Sequence, residues 1–86
     1  MERISGPFNG FYIATRAAAA DDRMPSFLAY AKICRGRPDN YENAHFCAQI
    51  TVEDPHATAQ SALQEAELRA RAQTGRLAPF AFAPAQ

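Results

Sequence analysis

The stretch HFCAQITVE, residues His45–Glu53, has the clearest alternation of apolar and polar side chains in the sequence. Successive side chains of a β-strand point to opposite faces of the sheet, so this pattern predicts a strand with one buried face. The side chains expected to point inward are Phe46, Ala48, Ile50 and Val52.

Two earlier segments, residues 10–17 and 26–35, are also predicted to be strands. The residues Gly36–Asn40 then form a strong turn signal. If the last two strands form an antiparallel hairpin with Cys34 opposite Cys47, apolar residues lie opposite apolar residues on one face. The resulting pairs are Ile33 with Ala48, Ala31 with Ile50 and Ala29 with Val52, and on the other face Lys32 with Gln49 and Tyr30 with Thr51.

A helix is predicted after the third strand. Asp54 is a suitable N-cap with Pro55 at the first helical position, and Thr58 is a second possible cap. Gly75 is well placed to end the helix. Its apolar stripe consists of Ala59, Ala62, Leu63, Ala66 and Ala70.

The predicted fold is therefore α+β: a three-stranded antiparallel β-meander with one C-terminal α-helix packed on one face, in the order β-β-β-α. A single domain is expected over residues 8–75, with flexible termini at 1–7 and 76–86. One helix can cover only one face of the sheet. Small domains often need oligomerisation for stability, so the second face or a sheet edge is expected to meet another chain.

Composition limits the functional classes. The 86 residues carry nine basic and nine acidic side chains, and 48% are apolar, including 19 alanines. The zero net charge disfavours both disorder and a typical nucleic-acid binder. The sequence has no apolar run long enough to span a bilayer and no secretory signal, so a cytoplasmic location is expected. The two cysteines are then expected to be free thiols.

The second face of the predicted sheet is the first candidate site. It combines aromatic, basic and amide side chains, and these are Tyr12, Arg16, Tyr30, Lys32 and Gln49. Such a face can serve as an ordinary solvated surface or as a dimer contact, because Tyr and Arg are enriched at interfaces. As an alternative, aromatic and basic residues on a sheet can stack single-stranded bases.

The turn after the second strand is a candidate anion-binding loop, because Arg35 and Arg37 flank a glycine there. Cys34, Cys47 and His45 would share one face, but the sequence lacks the short Cys or His spacings of zinc sites. No residue pattern indicates catalysis. We therefore predict no catalytic residues, no metal, no cofactor and no enzymatic activity.

Two segments carry a resemblance to known families. They are the opening FNGFYIAT, residues 8–15, and the helical SALQEAE, residues 61–67. Together with the element order, they resemble short uncharacterised bacterial proteins classed as domains of unknown function. The same order is similar to the core of HicB-type antitoxins. The first resemblance implies a fold and no activity, whereas the second implies a toxin as partner.

These observations predict a small non-enzymatic cytoplasmic protein that acts through protein–protein contacts, with a homodimer as one form. The alternatives are a nucleic-acid-binding module that uses the Tyr/Arg/Lys face, and a HicB-like antitoxin.

Overall fold

The computed structural model describes residues 1–20 and 26–81. Its elements are the strands β1 (Glu2–Phe8), β2 (Phe11–Ala19), β3 (Phe27–Cys34) and β4 (Ala48–His56), followed by the helix α1 (Ala59–Ala81). The strands form one antiparallel sheet in the order β1-β2-β3-β4. The α+β class and the C-terminal helix are confirmed, but the sheet has four strands rather than three.

The predicted pairing of β3 with β4 is confirmed. Ile33 lies opposite Ala48, and the pairs Ala31–Ile50, Ala29–Val52, Lys32–Gln49 and Tyr30–Thr51 follow in register. The apolar members of these pairs face α1. The opposite side of the sheet, which we call the second face, carries Tyr12, Ala14, Arg16, Tyr30, Lys32 and Gln49.

The expectation of a flexible segment at residues 1–7 is wrong, because Glu2–Phe8 form β1 and pair with β2. The two strands are joined by the dipeptide Asn9-Gly10, and both residues have positive φ angles, of 52° and 84°. Asn-Gly favours this two-residue hairpin turn, and it is the sequence signal from which β1 could have been predicted. Gly6 and Pro7 obscured the strand, since both residues are unfavourable inside regular strands.

The start of the helix also differs from the first prediction. Asp54 and Pro55 lie in β4 rather than at the helix cap. Thr58 is the N-cap, because its Oγ1 accepts a hydrogen bond of 3.1 Å from the backbone N–H of Ser61. A β-strand can tolerate Pro55 near its end at a sheet edge, where the missing N–H donor faces away from the neighbouring strand.

The helix does not end at Gly75 but continues to Ala81. The expectation of a flexible tail is therefore wrong for residues 76–81, and residues 82–86 lie outside the described part of the chain. Just before Gly75, the buried Thr74 Oγ1 accepts a hydrogen bond of 3.1 Å from Asn9 Nδ2. A glycine inside a helix costs only about 1 kcal/mol of stability. The contacts of Thr74 before it and of Leu77 after it can outweigh this cost.

The main core lies between α1 and the sheet. The predicted stripe of small side chains is confirmed, because Ala62, Ala66 and Ala70 are fully buried. Alanines let the helix approach the sheet closely, while Leu63 supplies a large side chain that is 1% exposed. On the sheet, the core is completed by Phe11, Ile13, Ala17, Ala29, Ala31, Ile33 and Val52.

Candidate functional site

The second face is partly covered by the β3–β4 loop, which comprises residues 35–47. Tyr41 and Ala44 of this loop are 6% and 7% exposed. They pack on Ala14 and Cys34 of the sheet, with Ile4 and Tyr30 at the border of the cluster. A single helix does leave one face open, as expected, but the loop of the same chain covers part of that face.

The ring of Tyr41 is held by two cations of the second face. Lys32 Nζ lies 4.3 Å and the Arg16 guanidinium 4.8 Å from the ring centroid. Lys32 Nζ also donates a hydrogen bond of 2.9 Å to the backbone carbonyl of Tyr41. Each cation–π contact stabilises a partly buried site by about 0.5–2 kcal/mol. The basic residues of the second face thus fasten the loop.

Glu2 completes this attachment from β1. Arg16 Nη2 donates a 2.7 Å hydrogen bond to Glu2 Oε2, and the backbone N–H of Tyr41 donates a 3.2 Å bond to Glu2 Oε1. The bond from Arg16, followed by the one from Tyr41, lowers the pKa of the Glu2 carboxyl group. The charge of Arg16 is therefore neutralised within the chain.

The five residues predicted to form the interaction face lie in different environments. Arg16 and Lys32 contact Tyr41, and Gln49 Nε2 lies 3.5 Å from the Tyr41 hydroxyl group. Tyr12 and Tyr30 are half-buried. The structure thus brings Arg16, Lys32 and Gln49 into contact with Tyr41, and Tyr30 packs against the same cluster. Sequence reasoning missed Glu2 because residues 1–7 were expected to be flexible, and it missed Tyr41 because this residue lies in a loop outside the alternating segments.

Phe46 is also placed differently from the prediction. It is 47% exposed rather than buried in the core, and its ring centroid lies 5.3 Å from Lys32 Nζ. The reason is that β4 begins at Ala48, three residues later than predicted. The residues before Ala48 belong to the β3–β4 loop, so the alternation that started at His45 does not reflect strand geometry there.

The predicted anion-binding loop is exposed. Both Arg35 and Arg37 are exposed side chains of the β3–β4 loop. Only Arg37 borders a nearby cleft of about 410 Å³, whose other lining residues are Gly36, Pro38, Asp39, Asn43 and His45. Asp39 places a negative charge in the lining beside Arg37, so the cleft is electrostatically mixed rather than basic.

The two cysteines are free thiols in different environments. Cys34 is buried and Cys47 is exposed. Burial, together with the nearby Cys47, raises the pKa of the Cys34 thiol, which therefore stays protonated at neutral pH. Within residues 1–20 and 26–81, no three His, Cys, Asp or Glu side chains converge in a metal-ligating group.

A polar chain joins the end of β4 to the first turns of α1. His56 Nδ1 lies 2.7 Å from Ser61 Oγ, and His56 Nε2 lies 3.5 Å from Glu65 Oε1. The serine–histidine–carboxylate order is also that of a hydrolase triad, and the histidine–carboxylate distance here is longer than an ordinary hydrogen bond. The arrangement holds the helix start against the sheet.

The two edges of the sheet differ in character. On β1, the charged residues Glu2 and Arg3 are followed by a bulge between Ser5 and Phe8 that includes Pro7. On β4, the regularly paired stretch Ala48–Val52 contains neither charge nor proline, and the charges, the proline and the irregular pairing of this strand follow it at residues 53–55. Within the described residues, β4 pairs only with β3, so its outer edge has unpaired backbone groups.

No helix within residues 1–20 and 26–81 combines the length and apolar character needed to cross a membrane. Comparison with known proteins gives no match to any family model, curated protein or solved structure.

Proposed function

We propose that this chain is a small non-enzymatic cytoplasmic protein that binds another protein chain through the outer edge of β4. The observation that carries this proposal is the stretch Ala48–Val52 on the outer edge of β4, five residues in a row without charge or proline, in the regularly paired part of the strand. An exposed strand edge presents unpaired N–H and C=O groups that another strand can join, so natural sheets usually protect such edges with charges, prolines or bulges. The β1 edge has all three protections, whereas β4 has them only in its C-terminal part, where Glu53, Asp54 and Pro55 coincide with an irregularity in the pairing with β3.

The Ala48–Val52 stretch of β4 has none of them. Its side chains toward the second face, Gln49 and Thr51, are exposed and uncharged, and Ile50 on the other face is only half-buried. Strand addition to such an edge obtains affinity from main-chain hydrogen bonds and specificity from alternate side chains. The edge therefore has the composition of a docking strand.

The nucleic-acid alternative has less support. Binding to phosphates needs free cations, and the two cations on the second face, Arg16 and Lys32, contact Tyr41 within the chain. The formal net charge of zero adds no long-range attraction. The exposed Arg35 and Arg37 remain, but they lie on the β3–β4 loop beside Asp39 rather than on an aromatic platform.

Site-specific photocrosslinking tests the proposal in cells that express the full chain. A photoreactive residue is placed at Thr51, beside the edge, and in a control variant at Gln64, which is exposed on α1. We expect protein adducts from position 51 and none from position 64, with the partner identified by mass spectrometry. Equal adducts from both positions, none from either, or adducts to nucleic acid alone would contradict the proposal.

A further inference from the structure

We infer that the partner on the β4 edge is a second copy of this chain, joined antiparallel to β4 about a two-fold axis that passes through Ile50. This inference rests on the proposed function, because it names the occupant of the same edge. It follows from the symmetry of strand pairing and from the charge pattern along β4.

Symmetry restricts the possible registers. Residues directly opposite each other in an antiparallel pair point to the same face of the sheet. When a strand pairs with its own copy, a register in which odd and even positions meet would place Ile50 opposite a residue of the second face. Only registers with a residue on the two-fold axis keep the faces matched, as a symmetric dimer interface requires.

The sequence of β4 selects among these registers. An axis at Glu53 places two carboxylates opposite each other, and an axis at Val52 places Ile50 opposite Asp54. An axis at Thr51 places Gln49 opposite Glu53, where the regular pairing of β4 with β3 has already ended.

An axis at Ile50 pairs the whole uncharged stretch with itself. It places Ile50 opposite its own copy, Gln49 opposite Thr51 twice, and Ala48 opposite Val52 twice. No charged residue enters this five-residue ladder, and all of it lies in the regular part of β4. An axis at Gln49 also brings no charges together, but it leaves only residues 48–50 of β4 in the ladder, so the axis at Ile50 gives the longest uncharged ladder.

The resulting dimer has one continuous eight-stranded sheet with both α1 helices on the same side. It covers the half-buried side chain of Ile50 and satisfies the free backbone groups of both edges. Domains of this size gain limited stability from one core, so a shared sheet is a physically reasonable addition. The protected β1 edges remain at the two ends of the assembly.

Light scattering on the full chain, across a micromolar-to-millimolar concentration series, measures how the average molar mass changes as dimers form. We expect the molar mass to rise from 9.4 kDa toward twice that value. The double variant Gln49→Lys/Thr51→Lys places like charges opposite each other twice, and we expect it to weaken the dimer by roughly tenfold or more. Both positions are exposed in the monomer, and circular dichroism verifies that the fold is retained.

The matched control is Gln49→Glu/Thr51→Lys, which places opposite charges in the same pairs. We expect this variant to dimerise at least as tightly as the unchanged chain. If both variants weaken the dimer, the axis does not lie at Ile50, and if neither does, the dimer uses another surface. Either result overturns the inference.

A chain that stays monomeric at all concentrations also overturns the inference. The photocrosslinking experiment then separates the two proposals. Adducts from position 51 to a different protein leave the proposed function standing while self-pairing fails, whereas a monomer without adducts contradicts both.

Discussion

At the residue scale, Glu2 connects three parts of the chain that are distant in sequence. Its carboxylate accepts hydrogen bonds from Arg16 on β2 and from the backbone of Tyr41 in the β3–β4 loop. The second contact spans 39 positions of sequence. Glu2 is solvent-accessible, so its carboxyl group can be titrated. The stabilisation that its hydrogen bonds provide therefore depends on pH.

We predict that Glu2→Gln makes the acid side of the stability profile shallower. The pKa of Glu2 is lowered in the folded chain, so its contribution is complete above the ordinary glutamate pKa and is lost as pH falls through the lowered value. Urea unfolding from neutral pH to about pH 3 should show the two proteins converging in stability.

The control for this series is Glu53→Gln on β4, whose carboxylate is exposed and has no ion-pair partner among the described residues. Its profile should stay parallel to that of the unchanged chain. If the stability profile of Glu2→Gln is also parallel to that of the unchanged chain, the contacts of Glu2 do not contribute to folding stability.

At the scale of the elements, two glycines have opposite roles. Gly6 lies in β1 with a φ of +118°, and a Cβ atom there would be 2.8 Å from the carbonyl oxygen of Phe11. Gly75 lies in α1, and a Cβ atom there would meet nothing within 4 Å. Only the glycine of β1 is required by the backbone.

Alanine substitution at these two positions should therefore change stability in opposite directions. We expect Gly6→Ala to lower the free energy of unfolding by about 1–3 kcal/mol, because it adds backbone strain and a steric clash. Gly75→Ala should raise it by about 0.5–1 kcal/mol, because alanine is the better helix former. Urea unfolding of both variants measures the difference, and a destabilising Gly75→Ala would contradict the continuous helix.

At the scale of the whole molecule, the two faces of the sheet are covered by different means. The helix covers one face with regular packing of small side chains. The β3–β4 loop covers part of the other face through one aromatic ring between two cations. The loop therefore closes part of the second face, and the strand pairing proposed above would use the outer edge of β4 instead.

Removing the Tyr41 ring should uncover the second face. We expect Tyr41→Ala to lower the free energy of unfolding by about 3 kcal/mol, since it leaves a cavity and breaks two cation–π contacts. Tyr41→Phe keeps the ring and loses only a weak 3.5 Å contact to Gln49, so it should cost less than about 1 kcal/mol. Hydrogen exchange at Ala44 reads the loop directly, and equal exchange in both variants would contradict its attachment by the ring.

The pairing of β3 with β4 and the inward stripe of α1 could be predicted because both depend on local periodicity. A shift of one residue in the strand register would move every side chain to the wrong face, whereas a shift of two would keep the faces and change only the partners. The alternation from Ala48 to Val52 therefore fixes which side chains point inward. The same reasoning failed at Phe46, where alternation continued by chance into a loop.

The sequence by itself determined the α+β class, the inward-facing side chains of the central hairpin and the buried face of the helix, while the structure fixed the register of the hairpin. Only the tertiary structure decided that residues 2–8 form an edge strand, that Tyr41 covers the second face and that α1 passes Gly75. These features depend on contacts such as Glu2 with Tyr41 and Asn9 with Thr74, whose partners are 39 and 65 positions apart. Periodicity reports a residue's surroundings within one element, whereas such contacts exist only after the elements have assembled.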